Sequence, residues 1–233
     1  MSLALITAGI LASVVIASIF FTYAMILFGI PQHLRLQNAT YTISSFHRDL
    51  PLILFNLLIL AGGAGFAFYL LADRFTMSWT SSWVIALDVA VILLMEDLWG
   101  YFVHRYLHEN RTLYKRIHLL HHKIYAPLPA YFLYIHPVEW MVQSMGAAFG
   151  VTILLFVHAP MSAYAVWIAA FLRQAYAADQ HSGLRSRLWR RTPVFSSTDI
   201  HDDHHLHPNN GNYGGVLVIW DRLFGTANAV KSC

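Results

Sequence analysis

The stretch His104-Arg105-Tyr106-Leu107-His108, followed by Ile117-His118-Leu119-Leu120-His121-His122, decides how this chain is read. On a helix, side chains three and four positions apart share a face. His104 and His108 therefore point one way, and so do His118, His121 and His122. The same i, i+3, i+4 spacing returns at His201, His204 and His205. Neutral imidazole is a common ligand for iron, zinc, copper and nickel, and three such faces can converge on metal. Buried without a shared partner, these eight rings would carry unsatisfied polar groups at a cost that three unrelated helix faces do not explain.

Upstream, the apolar run Ser78 to Phe102 feeds directly into the first cluster and carries Asp88, Glu96 and Asp97. Ionisable groups at membrane depth face a bundle interior and mark a site. Two further apolar runs precede it, Leu3 to Ile30 and Leu50 to Ala72, and the first charged side chain is Arg35. Each run supplies the roughly 20 apolar residues a helix needs to cross a bilayer. The first lacks the basic start and short apolar core of a cleavable leader, so it is expected to be a retained span ended by Pro31. Downstream, Glu139 to Arg173 encloses 33 uncharged residues interrupted at Ala159-Pro160. That is too long for one span and predicts two short helices turning near Pro160.

Composition agrees. Hydrophobic residues make up 57% and charged residues 12%, with a mean hydropathy of +0.50. An ordinary soluble domain carries about 25% charged residues; the deficit excludes intrinsic disorder and argues against a water-soluble globule. The expected fold is all-α: an integral membrane helical bundle of about four to five membrane helices in hairpins. Above it sits a helical histidine-rich cap holding a dinuclear metal site. One domain spanning residues 1–233 is expected, with an N-terminal hairpin of spans at 1–77 and a histidine-box catalytic region at 78–233.

The loop 31–49, the segment 103–136 and the tail from Arg173 hold 14 of the 15 Lys and Arg residues, leaving Arg74 opposite. Short loops rich in Lys and Arg stay cytoplasmic, which places the histidine-rich region and the C-terminus on the cytoplasmic face of a multi-pass protein. The basic runs read as topology signals and contacts to membrane lipid headgroups, with no nucleic acid as partner. The single cysteine, Cys233, has no disulfide partner in the chain.

His181 lies in Asp179-Gln180-His181-Ser182-Gly183. A hairpin at Pro160 returns it to the face of His118 to His122, whereas a single crossing strands it opposite; the hairpin makes it a ninth metal ligand. Nine imidazoles are too many for one ion and suit two, with four or five each. His136, where the fourth helix begins, is expected to support the site and not to ligate. His33, His47 and His158 read as interfacial or packed, and His207 as solvated. An all-imidazole site is uncharged apart from its metals, so carboxylates should orient the rings and balance charge. Asp97 stands seven residues before His104, with Tyr101 between; Asp179, Asp202, Asp203 and Asp221 are further candidates. A zinc hydrolase of the His-Glu-x-x-His kind is excluded, because Arg105 stands where the base belongs. Trp99, Phe102, Tyr131, Trp140, Met141 and Phe171 are candidates to line a channel to the metals, and Gly146 with Gly150 suits close helix contact.

The order of these clusters resembles the fatty acid hydroxylase/sterol desaturase superfamily of membrane di-iron enzymes. The connecting text is similar too: His108-Glu109-Asn110, Leu113-Tyr114-Lys115, Tyr134-Ile135-His136-Pro137-Val138-Glu139, Asn212-Tyr213-Gly214-Gly215 and Trp220-Asp221-Arg222-Leu223-Phe224-Gly225-Thr226. The resemblance covers roughly residues 80–227. It implies that the eight clustered histidines and His181 hold two Fe ions. It further implies O2 as co-substrate, two electrons from outside and a lipid substrate of fatty acyl, sphingoid or sterol type. Where some members have a second histidine four residues before the single one, this chain has Ala177. Zinc in purified protein would not refute iron, since it competes well for imidazole.

Hydroxylation of an unactivated C–H bond is the leading expectation, with desaturation as the variant within the family. From other classes, a haem electron-transfer protein is disfavoured by too many imidazoles per face, and a metal transporter by ligands lying away from the bilayer midplane. His207-Pro208-Asn209-Asn210 lacks the His-Pro-Gly-Gly of a cytochrome b5 domain, so the electron donor is expected to be a separate cytochrome b5, ferredoxin or reductase.

Overall fold

Apolar sequence continues for 26 residues from Leu3 before Gly29 and Pro31 stop it, and it forms one helix, α1 (Leu3–Phe28). This computed structural model describes residues 2–185 and 193–229. Arg187, Arg190, Arg191, Lys231 and Cys233 lie outside them. Thr42 and Ser45 close a reciprocal cap, which satisfies orphan backbone donors and starts α2 (Ile43–Leu70). Next come α3 (Ser82–Glu109) and a short tract formed by α4 (Arg111–Leu113), a π-helical turn at Tyr114–His118 and α5 (Leu119–His122). A 3-10 turn at Pro129–Leu133 leads to α6 (Pro137–His158), α7 (Ala163–Gln180), α8 (Thr198–Leu206) and α9 (Ile219–Leu223). The hairpin expected at Pro160 is the turn between α6 and α7.

Helices α1, α2 and α6 are each long and apolar enough to cross a bilayer. Helices α3 and α7 run beside them and carry the charged residues Asp88, Glu96, Asp97 and Arg173. This is a helical membrane protein. Large apolar side chains such as Phe20, Phe28, Leu58 and Phe156 lie exposed around the bundle, where lipid and not water is the natural solvent.

The directions follow from a few contacts. Gly65 of α2 packs on Ala4 of α1, so these helices are antiparallel. At one end, β1 (Phe75–Thr76) after α2 pairs in parallel with β2 (Met161–Ser162) after α6. At the other end lie the C-termini of α3 and α7, with the histidines. Helices α1, α3 and α7 therefore run toward the histidines, and α2 and α6 away. Arg74 alone among the described basic residues lies at the β1–β2 end. Helix α3 has 28 residues, about 42 Å at 1.5 Å per residue, against a hydrocarbon core of about 30 Å. Its last turns project beyond the core and carry His104 and His108.

The tightest pairing is α3 against α6. A Cβ at Gly146 would stand 2.8 Å from the Glu96 Cα, and one at Gly150 2.9 Å from the Ile92 Cα, so both positions require glycine for the backbones to touch. One apolar core fills the β1–β2 end around Phe68, Ile92, Met161 and Trp167. A second, around Phe46, Ile53, Tyr131 and Leu133, sits under the histidine cap.

Candidate metal centre and lipid cleft

The structure brings all nine predicted histidines together in two adjoining sets. His104, His108, His118, His122 and His204 form one; His121, His181, His201 and His205 form the other, with one ring nitrogen from each member of a set within 4.8 Å of the rest. The sets do not follow the clusters. Residues four apart stay together (His104 with His108, His118 with His122, His201 with His205), while His121 and His204, at i+3, cross to the opposite set. Sequence spacing alone put each cluster on one face; the 100° turn per residue separates i+3 from i+4 enough to serve two centres. The π-helical turn that ends at His118 is the kind of local distortion that accumulates at functional sites. His181 reaches its set because α7 returns, and it caps that helix at the histidine end.

Whether metal fits is decided by the hydrogen bonds. His104 Nδ1 lies 2.8 Å from the Tyr213 carbonyl, His204 Nδ1 2.8 Å from the Gly211 carbonyl and His118 Nδ1 2.6 Å from Glu139 Oε1. In the other set, His181 Nδ1 lies 2.8 Å from the Ala177 carbonyl and His121 Nδ1 3.4 Å from the Tyr134 carbonyl. The four carbonyl oxygens only accept, as does the Glu139 carboxylate when ionised, so each Nδ1 carries the proton and each Nε2 is left with a bare lone pair. Yet the Nε2 atoms face one another: His204 to His104 at 3.2 Å and His181 to His121 at 3.4 Å. His118 Nε2 also stands 2.9 Å from His108 Nε2 and 3.0 Å from His122 Nε2, two rings whose Nδ1 atoms have no acceptor to fix the tautomer. Two lone pairs cannot bond each other; a cation between them resolves the repulsion. Nitrogens about 2.1 Å from a shared ion would stand about 3 Å apart at right angles, so the donor set fits a metal.

The electrostatics point the same way. Burial pushes the pKa values of His118, His181, His201, His204 and His205 well below the ordinary range, and neighbouring imidazoles add to the effect. His121 and His122 are lowered by burial too. Neutral rings are the form that ligates metal.

The acids expected to orient the rings act differently. Asp97 is turned away from His104: it accepts from the Val216 and Leu217 amides at 2.6 and 3.0 Å and from the Trp220 indole at 2.8 Å. Asp221 accepts from the Tyr213 and Gly214 amides and the Thr226 hydroxyl. Tyr101 pairs its hydroxyl with Thr226 and stacks on Phe224. All three pin the tail 213–226, whose Tyr213 carbonyl then holds His104. Asp202 accepts from Gln37 at 2.5 Å, Asp203 pairs with His207, and the Asp179 carbonyl accepts from Thr198. His136 caps α6, its Nδ1 accepting from the Val138 amide. His158 pairs with Asp88 at the far end of the bundle.

Sequence reasoning missed Glu139, whose carboxylate hydrogen-bonds directly to a ring of the site. It is 2% exposed, and Gln143 donates to the same oxygen at 2.9 Å. The signal was present as an acid at the first turn of an apolar span, three residues after His136. Tyr114 was missed as well; its ring packs against His108, His118 and His122 at 5.3 to 6.0 Å.

A cavity of about 560 Å³ opens from the histidines into the bundle. His104, His118, His121, His181 and His201 line its top, and Phe68, Phe75 and Trp167 line its lower end. Its sides are α2 (Gly63, Ala64, Ala67) and α6 (Ser144, Ala147, Ala148), which touch little; it is a cleft between two membrane helices. Of the six predicted channel residues, Trp140 and Met141 line it. The others point elsewhere. Trp99 donates to the Val142 carbonyl, Phe102 packs on Phe224, Tyr131 donates to Asp49, and Phe171 is 51% exposed. Aromatic character marked them, but the cleft is built mainly from small and aliphatic side chains.

The family model for fatty acid hydroxylase matches residues 89–226, more than half of the chain. The chain belongs to the fatty acid hydroxylase family. Among curated relatives, methylsterol monooxygenase 1 of Gallus gallus is 36% identical over 135 residues, 57% of this chain and 43% of that protein. Very-long-chain aldehyde decarbonylase GL1-9 of Oryza sativa subsp. indica is 35% identical over 149 residues, 60% of this chain and 54% of that one. Sphinganine C4-monooxygenase 2 of Arabidopsis thaliana is 32% identical over 163 residues, 66% and 60% of the two chains. This fatty acid hydroxylase-family chain thus spans about half the length of the curated relatives it matches. No solved structure matches it.

Proposed function

We propose that this chain is a membrane-bound non-haem di-iron oxygenase that hydroxylates an unactivated C–H bond of a lipid. Support comes chiefly from one observation: two sets of lone-pair-bearing imidazoles open onto an apolar cleft between membrane helices. In this reading His104, His108, His118, His122 and His204 hold one ion and His121, His181, His201 and His205 the other. The overall change is C–H + O2 + 2 e⁻ + 2 H⁺ → C–OH + H2O. An unactivated C–H bond has no acidic proton, so iron held there would supply an O2-derived oxidant that side chains lack.

The residues themselves bind and orient. Glu139 and the Tyr213, Gly211, Ala177 and Tyr134 carbonyls keep five rings in the tautomer that presents Nε2. The cleft keeps the lipid chain in apolar surroundings while one carbon reaches the histidines. Electrons come from a separate donor (cytochrome b5, ferredoxin or reductase), and the basic residues at the histidine end support a cytoplasmic location for it.

Comparing lipid extracts of cells expressing wild type or His121→Ala, with a working reductase, tests the reading. A product heavier by one oxygen, present only with wild type, is expected. A loss of two hydrogens instead would mean desaturation. Identical lipid profiles from iron-loaded wild type and the variant would refute the oxygenase assignment.

A further inference from the structure

Below the histidines and Glu139, the charged side chains that line the cleft gather at one level. Glu96 of α3 and Arg173 of α7 meet across it, with Oε1 and Nε 3.5 Å apart. Glu96 precedes His104 by eight residues, and Arg173 precedes His181 by eight. Two independent helices thus place this pair the same distance below the histidines, about 12 Å at 1.5 Å per residue. Both side chains line the cleft, as does Gln174. Gln174 is 5% exposed and its Oε1 has no hydrogen-bond partner; Arg173 Nε, though beside Glu96, makes no hydrogen bond either. A buried acceptor and a buried donor without partners, in the wall of a cavity, call for a ligand that satisfies both.

We propose that Glu96, Arg173 and Gln174 form a subsite for an uncharged hydrogen-bonding group, a hydroxyl or an amide, carried by the lipid about 12 Å from the carbon presented to the histidines. This rests on the reading above that a lipid occupies the cleft. The charge balance selects the group. A free carboxylate would lie against Glu96, and an ammonium against Arg173. Asp97, next along α3, has its oxygens filled by two amides and an indole and offers nothing more. A hydroxyl donates to Gln174 Oε1 and accepts from Arg173, leaving the ion pair intact. A plain hydrocarbon leaves both atoms unsatisfied.

Trp140 and Trp167 line the cleft, so intrinsic fluorescence of the purified, metal-free full chain in phosphatidylcholine nanodiscs reports occupancy. Octadecan-1-ol, octadecane and octadecanoate serve as probes. The alcohol is expected to bind at least tenfold more tightly than either of the others. Gln174→Leu and Arg173→Met should each erase that preference while still binding octadecane at least as tightly as wild type does, which also shows that the variants are folded. Equal affinities in wild type, tightest binding of octadecanoate, or a preference that survives in the folded Gln174→Leu protein would overturn the proposal. Because no metal or turnover is needed, a protein that selects the alcohol yet oxidises nothing would refute the oxygenase reading alone. One that hydroxylates lipids without this selectivity would refute only the subsite.

Discussion

Glu139 holds the most consequential single hydrogen bond of the site, 2.6 Å to His118 Nδ1. Loss of such an outer partner typically weakens metal binding 10- to 100-fold. Glu139→Gln, which keeps the shape and removes the charge, should therefore lower metal affinity by about that factor in competition with a chelator. His136→Ala is the contrast: it removes the α6 cap, worth about 1 kcal/mol, and should leave metal content unchanged. Acid acts on the same residues. The buried histidines have folded pKa values below the unfolded value of about 6.5, so under pH 6.5 the unfolded chain takes up protons that the folded site refuses. Stability is fully present above that pH and falls below it, each such histidine adding up to about 1.4 kcal/mol per pH unit. The melting temperature of the metal-free protein should be level above pH 7 and drop steeply between pH 6.5 and 5; a flat profile would mean the rings are not buried neutral. The histidines could be seen in the sequence because i, i+3 and i+4 spacing is written in side chains. The Tyr213 and Gly211 carbonyls could not, because backbone acceptors have no side-chain signature and reach their rings only after the tail folds back.

At the scale of elements, the close approach of α3 and α6 rests on Gly146 and Gly150. A valine at Gly146 must push against the Glu96 backbone 2.8 Å from its Cβ. Overpacking of this kind costs typically 1–3 kcal/mol. Gly146→Val should lower the melting temperature and displace Glu96, whereas alanine at Gly62, where nothing lies within 4 Å of an added Cβ, should be silent. The small-x-x-x-small spacing showed this contact in advance, and Pro160 showed the hairpin. The cleft was not legible in the same way. It arises because α2 and α6 stay apart, a relation between helices distant in sequence that no local periodicity encodes, and so four of the six predicted lining residues missed it. At its lower end Trp167, held by its indole donating to Thr7 at 2.8 Å, forms the floor with Phe68 and Phe75. Trp167→Ala should deepen the cleft and shift the preferred lipid to longer chains, read by mass spectrometry of the bound or oxidised lipid.

At the scale of the molecule, the spans and the gathering of the described Lys and Arg residues other than Arg74 at one end were legible from hydropathy and charge counting, because bilayer energetics act on long averages of sequence. Impermeant thiol reagents applied to oriented vesicles test the proposed sidedness, with the lone Cys233 as the target. Labelling from the cytoplasmic side is expected, and labelling from the opposite side would invert the topology. Helices α2 and α6 border the cleft and are tied together at both ends. The β1–β2 pairing joins the segments that follow them, and Asn56 of α2 donates to the Leu133 and Ile135 carbonyls just before α6. The opening is thus a buttonhole, sewn at top and bottom, and on the proposed function a guest would slip through sideways from the surrounding leaflet. How full it is depends on how crowded the leaflet is with that guest, so rates should scale with surface mole fraction and ignore dilution of the vesicles in buffer.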